Sequence, residues 1–137
     1  NNRLEAAHEL VKDAACSEHE MIVILKGAGT VLSSSRGDWA VNSSGNHGMA
    51  TGGMGDVLSG LIGGQLVQGY THWEASAIGV YQHGLAGDIL AEDCTQGFTA
   101  SQVAAALPRA FMRMKESDCR VCFRCNGPCV CSCSEYL

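Results

Sequence analysis

Asn46-His47-Gly48-Met49-Ala50-Thr51-Gly52-Gly53-Met54-Gly55-Asp56-Val57-Leu58-Ser59-Gly60 decides how this chain is read. Five glycines fall within these fifteen residues, one carboxylate follows the fourth, and an apolar segment begins at once. Glycine lets a backbone approach a ligand closely and take positive φ without steric cost. A helix opening at Gly55 or Asp56 would turn its unpaired N–H groups and the positive end of its dipole toward the loop, where a phosphate can sit. Asp56 is then either the N-cap or a base beside that phosphate, and the density of glycine favours the second.

Outward from this loop the chain alternates between helix and strand. Upstream, Leu4, Ala7, Leu10, Val11 and Ala14 recur at helical spacing, which predicts an amphipathic helix from Arg3 to Cys16. Met21–Leu25 is an unbroken apolar run rich in β-branched residues, the pattern of a strand buried on both faces. Lys26-Gly27-Ala28-Gly29-Thr30 interrupts it, and Val31-Leu32 resumes a strand. Gly37-Asp38 reads as a turn before a strand at Trp39–Asn42. Downstream, Val57, Leu58, Leu61, Ile62, Leu66 and Val67 mark a helix that ends at Gly69. Thr71, with Glu74 three residues on, predicts a capping box opening a long helix to Leu90. Thr99-Ala100-Ser101 starts another, with Val103, Leu107 and Phe111 inward and Pro108 set to kink or end it. The order implies an α/β sandwich.

Composition narrows the class. The chain has 137 residues, 46% of them hydrophobic and 17% charged, which is globular rather than disordered. A net charge of −5 argues against a nucleic-acid surface, and no stretch approaches the roughly 18 apolar residues of a membrane span. The first residues carry neither an initiator Met nor a signal pattern, so the expectation is a cytoplasmic piece of a longer chain. Cysteine usage divides the sequence: Cys16 and Cys94 precede Lys115, and six more lie between Cys119 and Cys133. The expected division is therefore a domain over 1–114 and a Cys-rich tail over 115–137.

That tail supplies a rival reading. Cys119, Cys122, Cys125 and Cys129 have the spacing of bacterial ferredoxin cluster ligands, and Cys131 and Cys133 can join a zinc site. An iron–sulfur or zinc-binding module, or an inactive fragment, is thus the alternative, and for the tail itself the other reading is an appended, largely disordered end.

Four segments, in order, resemble the NAD(P)H-hydrate dehydratases. They are Lys26–Thr30, Asn42-Ser43-Ser44-Gly45-Asn46, Met49–Gly60, and Gly79-Val80-Tyr81-Gln82-His83-Gly84-Leu85-Ala86-Gly87-Asp88. The resemblance covers residues 1–114 and implies the later portion of a ribokinase-like three-layer α/β/α sandwich. It implies ADP-dependent restoration of hydrated NADH and NADPH, with ATP as the other nucleotide, Mg2+ as a cofactor and a possible homo-oligomer. Lys26, Gly27, Ala28, Gly29, Thr30 and Gly55 would bind the nucleotide. Gly53, Met54 and Gly55 would form the anion hole, and Asp56 would bind the hydrate and act as base, with no protein-held metal. The lead-in Ala50-Thr51-Gly52-Gly53 resembles the ADP-using branch. His47 stands where the family commonly has proline and is read as a solvent-facing loop histidine. His83 is read as a satisfied structural histidine and Asp88 as a polar contact. Trp39 and Trp73 lack the interleaved basic residues that base stacking would need.

Overall fold

In the computed structural model, residues 2–14, 19–93 and 97–116 are described. Cys16, Cys94 and every cysteine of the tail lie outside them, as do the last two residues expected of the first helix, 15 and 16. The order is α1 (Arg3–Ala14), β1 (Ile22–Leu25), β2 (Val31–Ser34), β3 (Trp39–Val41), a 3₁₀ turn at His47–Met49, α2 (Met54–Val67), α3 (His72–Ala91) and α4 (Ala100–Glu116).

Helix boundaries follow the caps. Asn2 accepts from the Glu5 N–H at 3.3 Å and opens α1. Thr71 and Glu74 form the expected reciprocal capping box of α3. Thr99 and Gln102 repeat it at α4, with Thr99 N–H donating to Gln102 Oε1 at 2.8 Å. Helix α2 ends in a Schellman pair: Gly69 N–H to Leu66 O at 3.0 Å and Tyr70 N–H to Gln65 O at 3.4 Å. Pro108 does not end α4, which runs on to Glu116, two residues past the compositional boundary at Met114. The carbonyl that Pro108 leaves without a helical partner belongs to Ala104, and both residues are exposed to water.

The three strands form an antiparallel meander in the order β1-β2-β3, with Leu25 opposite Val31 and Leu32 opposite Ala40. Helix α1 packs on one face and α3 on the other, so the described residues build three layers. Alternation along β2 sorts its side chains. Ser33 Oγ meets His8 Nδ1 of α1 at 2.7 Å, while Leu32 joins Leu58, Ala77 and Val80 beneath α2 and α3. The expectation that Met21–Leu25 is buried on both faces is corrected: β1 is half-buried throughout, and the middle strand β2 is the sandwiched one. Hydrophobicity alone cannot say which of two apolar strands sits centrally.

A second core lies between α3 and α4, where Ala86, Ile89, Phe98, Val103, Ala106 and Ala110 are buried with Met54. Four apolar residues expected inside are displaced outward: Leu10, Leu66, Val67 and Phe111 are exposed, at 51%, 39%, 90% and 37%. Ala110 takes the inward place near Phe111, and on α2 the polar Gln65 is buried, donating to Gln82 Oε1 at 2.9 Å. A buried amide pair is tolerated because each side chain supplies the other's partner.

Candidate active site

Helix α2 begins one residue earlier than the glycine pattern suggested. Gly53 is its N-cap at φ +84°, a left-handed conformation that a side chain would strain, and it makes no side-chain cap. Asp56 therefore does not cap. It stands in the first turn, exposed, and its carboxylate has no hydrogen bond or ion pair among the described residues. Its own N–H and that of Val57 bond to Gly53 O at 3.1 and 3.2 Å. The N–H groups of Gly53, Met54 and Gly55 have no acceptor among the described residues. These three donors face whatever lies ahead of the helix, where its dipole favours negative charge.

Lys26 supplies a full positive charge at the same place. A Cβ built on Gly55 would lie 3.1 Å from Lys26 Nζ, so the ammonium rests against the first turn of α2. It has no carboxylate partner among the described residues. A cation held at the positive end of a helix without a counter-ion is an electrostatically open arrangement, one that an anion would complete.

The site opens into a cleft of about 830 Å³ lined by Lys26–Thr30, Asn42–His47, Met49–Gly52, Met54, Leu58, Val80, His83 and Gly84. That volume lies in the range of small-molecule sites. The structure thus brings Lys26, Gly27, Ala28, Gly29 and Thr30 together with the α2 N-terminus. Gly53, Gly55 and Asp56 stand at that terminus but outside the lining of the cleft. His47 is exposed as read, and it also lines the cleft.

His83 departs from its expected role. It is 8% exposed, and its Nε2 is buried with no hydrogen-bond partner among the described residues, so it is not a satisfied core histidine there. Burial first, and then the positive charge of Lys26, hold its pKa below the ordinary 6.5, while a backbone hydrogen bond at Met54 opposes them. The imidazole is accordingly held neutral at the base of the cleft.

The segment between β3 and α2 is fastened to α3 by polar groups. Asp88 accepts from Gly45 N–H at 2.8 Å and from Asn46 Nδ2 at 2.9 Å, which makes it the polar contact expected. Asn46 Oδ1 in turn accepts from Gly48 N–H at 3.0 Å. Ser44 Oγ reaches Tyr81 O at 2.9 Å over Gly84, where a Cβ would fall 2.2 Å from that oxygen. Reading the sequence missed Ser44 and Asn46 as holders of the cleft wall, and Arg3 behind its opposite wall. One signal was available for Arg3: a cation at the first position of a helix opposes the dipole and so calls for another partner.

With this geometry, the chain belongs to the NAD(P)H-hydrate dehydratase family, whose sequence model matches residues 1–109. It is 42% identical over 116 residues to the bifunctional NAD(P)H-hydrate repair enzyme Nnr of Thermofilum pendens, covering 84% of this chain and 21% of that one. It is 43% identical over 86 residues to the ADP-dependent (S)-NAD(P)H-hydrate dehydratase of Neisseria meningitidis, covering 61% of this chain and 29% of that one. Among solved structures it resembles the ADP/ATP-dependent NAD(P)H-hydrate dehydratase of Bacillus subtilis, co-crystallised with ATP and Mg2+. The TM-score is 0.75 at 30% identity, over 82% of this chain and 39% of that one. The chain thus spans about a fifth of the bifunctional relative and two fifths of the solved one.

Proposed function

We propose that the protein carrying this chain is an ADP-dependent NAD(P)H-hydrate dehydratase, a hydro-lyase that restores hydrated NADH and NADPH. The observation that carries this reading is the unpaired Lys26 ammonium against the first turn of α2, beside the open N–H groups of Gly53, Met54 and Gly55. A nucleotide phosphate chain fits that set, since the donors are in place and nothing in the described chain neutralises them. The nucleotide supplies a phosphoryl group that makes the hydrate hydroxyl a leaving group and is itself left as AMP, and phosphate and a proton from the neighbouring ring carbon then depart as the ring double bond forms.

The residues divide the work. Lys26 and the three amides hold the charge on the transferring phosphoryl group, which for such transfers is most of the catalysis. Gly27, Ala28, Gly29 and Thr30 receive the nucleotide along the first hairpin. Asp56, free of other partners, accepts the proton of the hydrate hydroxyl. Among the described residues no group of three or more His, Cys, Asp or Glu side chains is placed to hold a metal. Mg2+ enters with the phosphates, as is usual for a cation that keeps most of its waters. Residues 1–114 act as the later portion of a ribokinase-like domain, in a cytoplasmic setting and with homo-oligomerisation open to it. No helix among the described residues is long and apolar enough to cross a membrane.

The nucleotide is ADP, by the lead-in Ala50-Thr51-Gly52-Gly53. Initial rates of NADPH-hydrate repair at equal ADP and ATP concentrations test this, with ADP expected to be the faster. Faster repair with ATP would reverse the assignment, and repair with neither would remove the function.

A further inference from the structure

The loop Lys26–Thr30 is bonded on one side only. Arg3, at the start of α1, donates to four of its backbone carbonyls or their immediate neighbour: Leu25 O at 2.9 Å, Lys26 O at 2.9 Å, Ala28 O at 2.6 Å and Gly29 O at 3.2 Å. The remaining carbonyls are taken as well. Gly27 O accepts from Thr30 Oγ1 at 3.1 Å, and Thr30 O accepts from Asn42 N–H at 2.8 Å. Every carbonyl from Leu25 to Thr30 thus has a donor, while the N–H groups of Gly27, Gly29 and Thr30 have no acceptor among the described residues.

Peptide geometry links these two facts. In a trans peptide the C=O and the following N–H point in opposite directions. Carbonyls of Lys26, Ala28 and Gly29 drawn onto one guanidinium therefore turn the N–H groups of Gly27, Gly29 and Thr30 away from it. Successive outward N–H groups of this kind form an anion-binding concavity. The planar five-donor fork of arginine suits the task, because one side chain can gather several carbonyls without loss of its own charge. Gly27 permits the close approach. A Cβ there would lie 2.8 Å from Arg3 Nη2, at a φ of +144°.

We propose that Arg3 is a positioning residue for nucleotide binding: it fastens the Lys26–Thr30 loop by its carbonyls so that the loop presents unpaired amides to the phosphates or ribose. This inference rests on the nucleotide reading of that loop. Arg3 itself does not touch the ligand.

The test is ADP affinity, measured by titration calorimetry on the full chain. Arg3→Met is expected to weaken ADP binding at least about tenfold, and Arg3→Lys, with three donors in place of five, about threefold. Arg36→Met, at an exposed arginine paired with Glu20 at 3.8 Å, is the control and should change affinity less than about twofold. In the wild type, ADP should shift the amide signals of Gly27, Gly29 and Thr30, and the Arg3 guanidinium should show separate, slowly rotating Nη–H signals. Equal ADP affinity in the wild type and Arg3→Met would overturn the role of Arg3 alone. No ADP binding by the wild type would sink the nucleotide reading and this inference with it. If Arg3→Met fails to fold, the guanidinium signals decide, since one averaged signal would show that the four-carbonyl clamp does not exist.

Discussion

Two walls of the cleft are fastened in opposite senses. The Lys26–Thr30 loop is held by a cation, Arg3, which consumes its carbonyls and leaves amides open. The Asn42–Met49 segment is held by an anion, Asp88, which consumes donors at Gly45 and Asn46. The partner behind each wall thus takes backbone carbonyls from one and two N–H donors from the other. An arginine-held loop offers N–H groups and suits phosphate. The Asn42–Met49 segment, with two donors tied to a carboxylate on α3, is fixed in place and serves as a wall. With Lys26 and the α2 N-terminus, the first arrangement concentrates positive potential at one end of the cleft.

The largest expected effect breaks the second wall. A Cβ at Gly84 would fall 2.2 Å from Ser44 Oγ and 2.7 Å from the Ser44 carbonyl carbon, and the backbone contact cannot be relieved by a rotamer change. Gly84→Ala should cost about 3 kcal/mol of stability, at the upper end for overpacking, and denaturant unfolding measures it. A loss below about 1 kcal/mol would mean that the segment moves freely and is no fixed wall.

A smaller change in free energy, confined to the chemistry, sharpens the contrast between wall and open end. Asp56 is exposed and its carboxylate has no partner among the described residues, so Asp56→Asn should alter stability by less than about 1 kcal/mol, mostly through the helix dipole. The repair rate should fall at least about a hundredfold with ADP affinity nearly unchanged, the scale of a lost general base. An unchanged rate would remove Asp56 from the proton transfer.

The smallest effect is one of pH. Because the folded-state pKa of His83 is lowered, the unfolded chain takes up its proton first on acidification. Stability from this group is complete above the unfolded value near 6.5, and it is lost as pH falls through the lower folded value. His83→Gln should flatten that acid limb in thermal unfolding measured from pH 7 downward. Identical slopes in wild type and variant would show that His83 is not held neutral by its surroundings.

Much of the fold was legible in the residues themselves because its signals are local. Thr71 with Glu74, Gly69 after an apolar helix, and Gly37-Asp38 between strands each act within a few residues, and each stands where expected. The candidate site was half legible for the same reason. Glycine density pointed to the α2 N-terminus, and the order of motifs pointed to Lys26–Thr30. What stayed hidden depends on partners far along the chain. Arg3 lies 22 to 26 residues from the carbonyls it gathers, and Asp88 lies 42 and 43 from its donors.

Sequence by itself therefore determined the elements, their caps and the glycine-rich turns, since these are settled by backbone sterics and hydrogen bonds between near neighbours. Tertiary structure decided which apolar strand is central, that Leu10, Leu66, Val67 and Phe111 find no core, and that His83 Nε2 is buried without a partner among the described residues. It also decided that the exposed Lys26 side chain lies against Gly55 at the start of α2. Burial and polar satisfaction are properties of what surrounds a group, and that environment exists only once distant segments have packed.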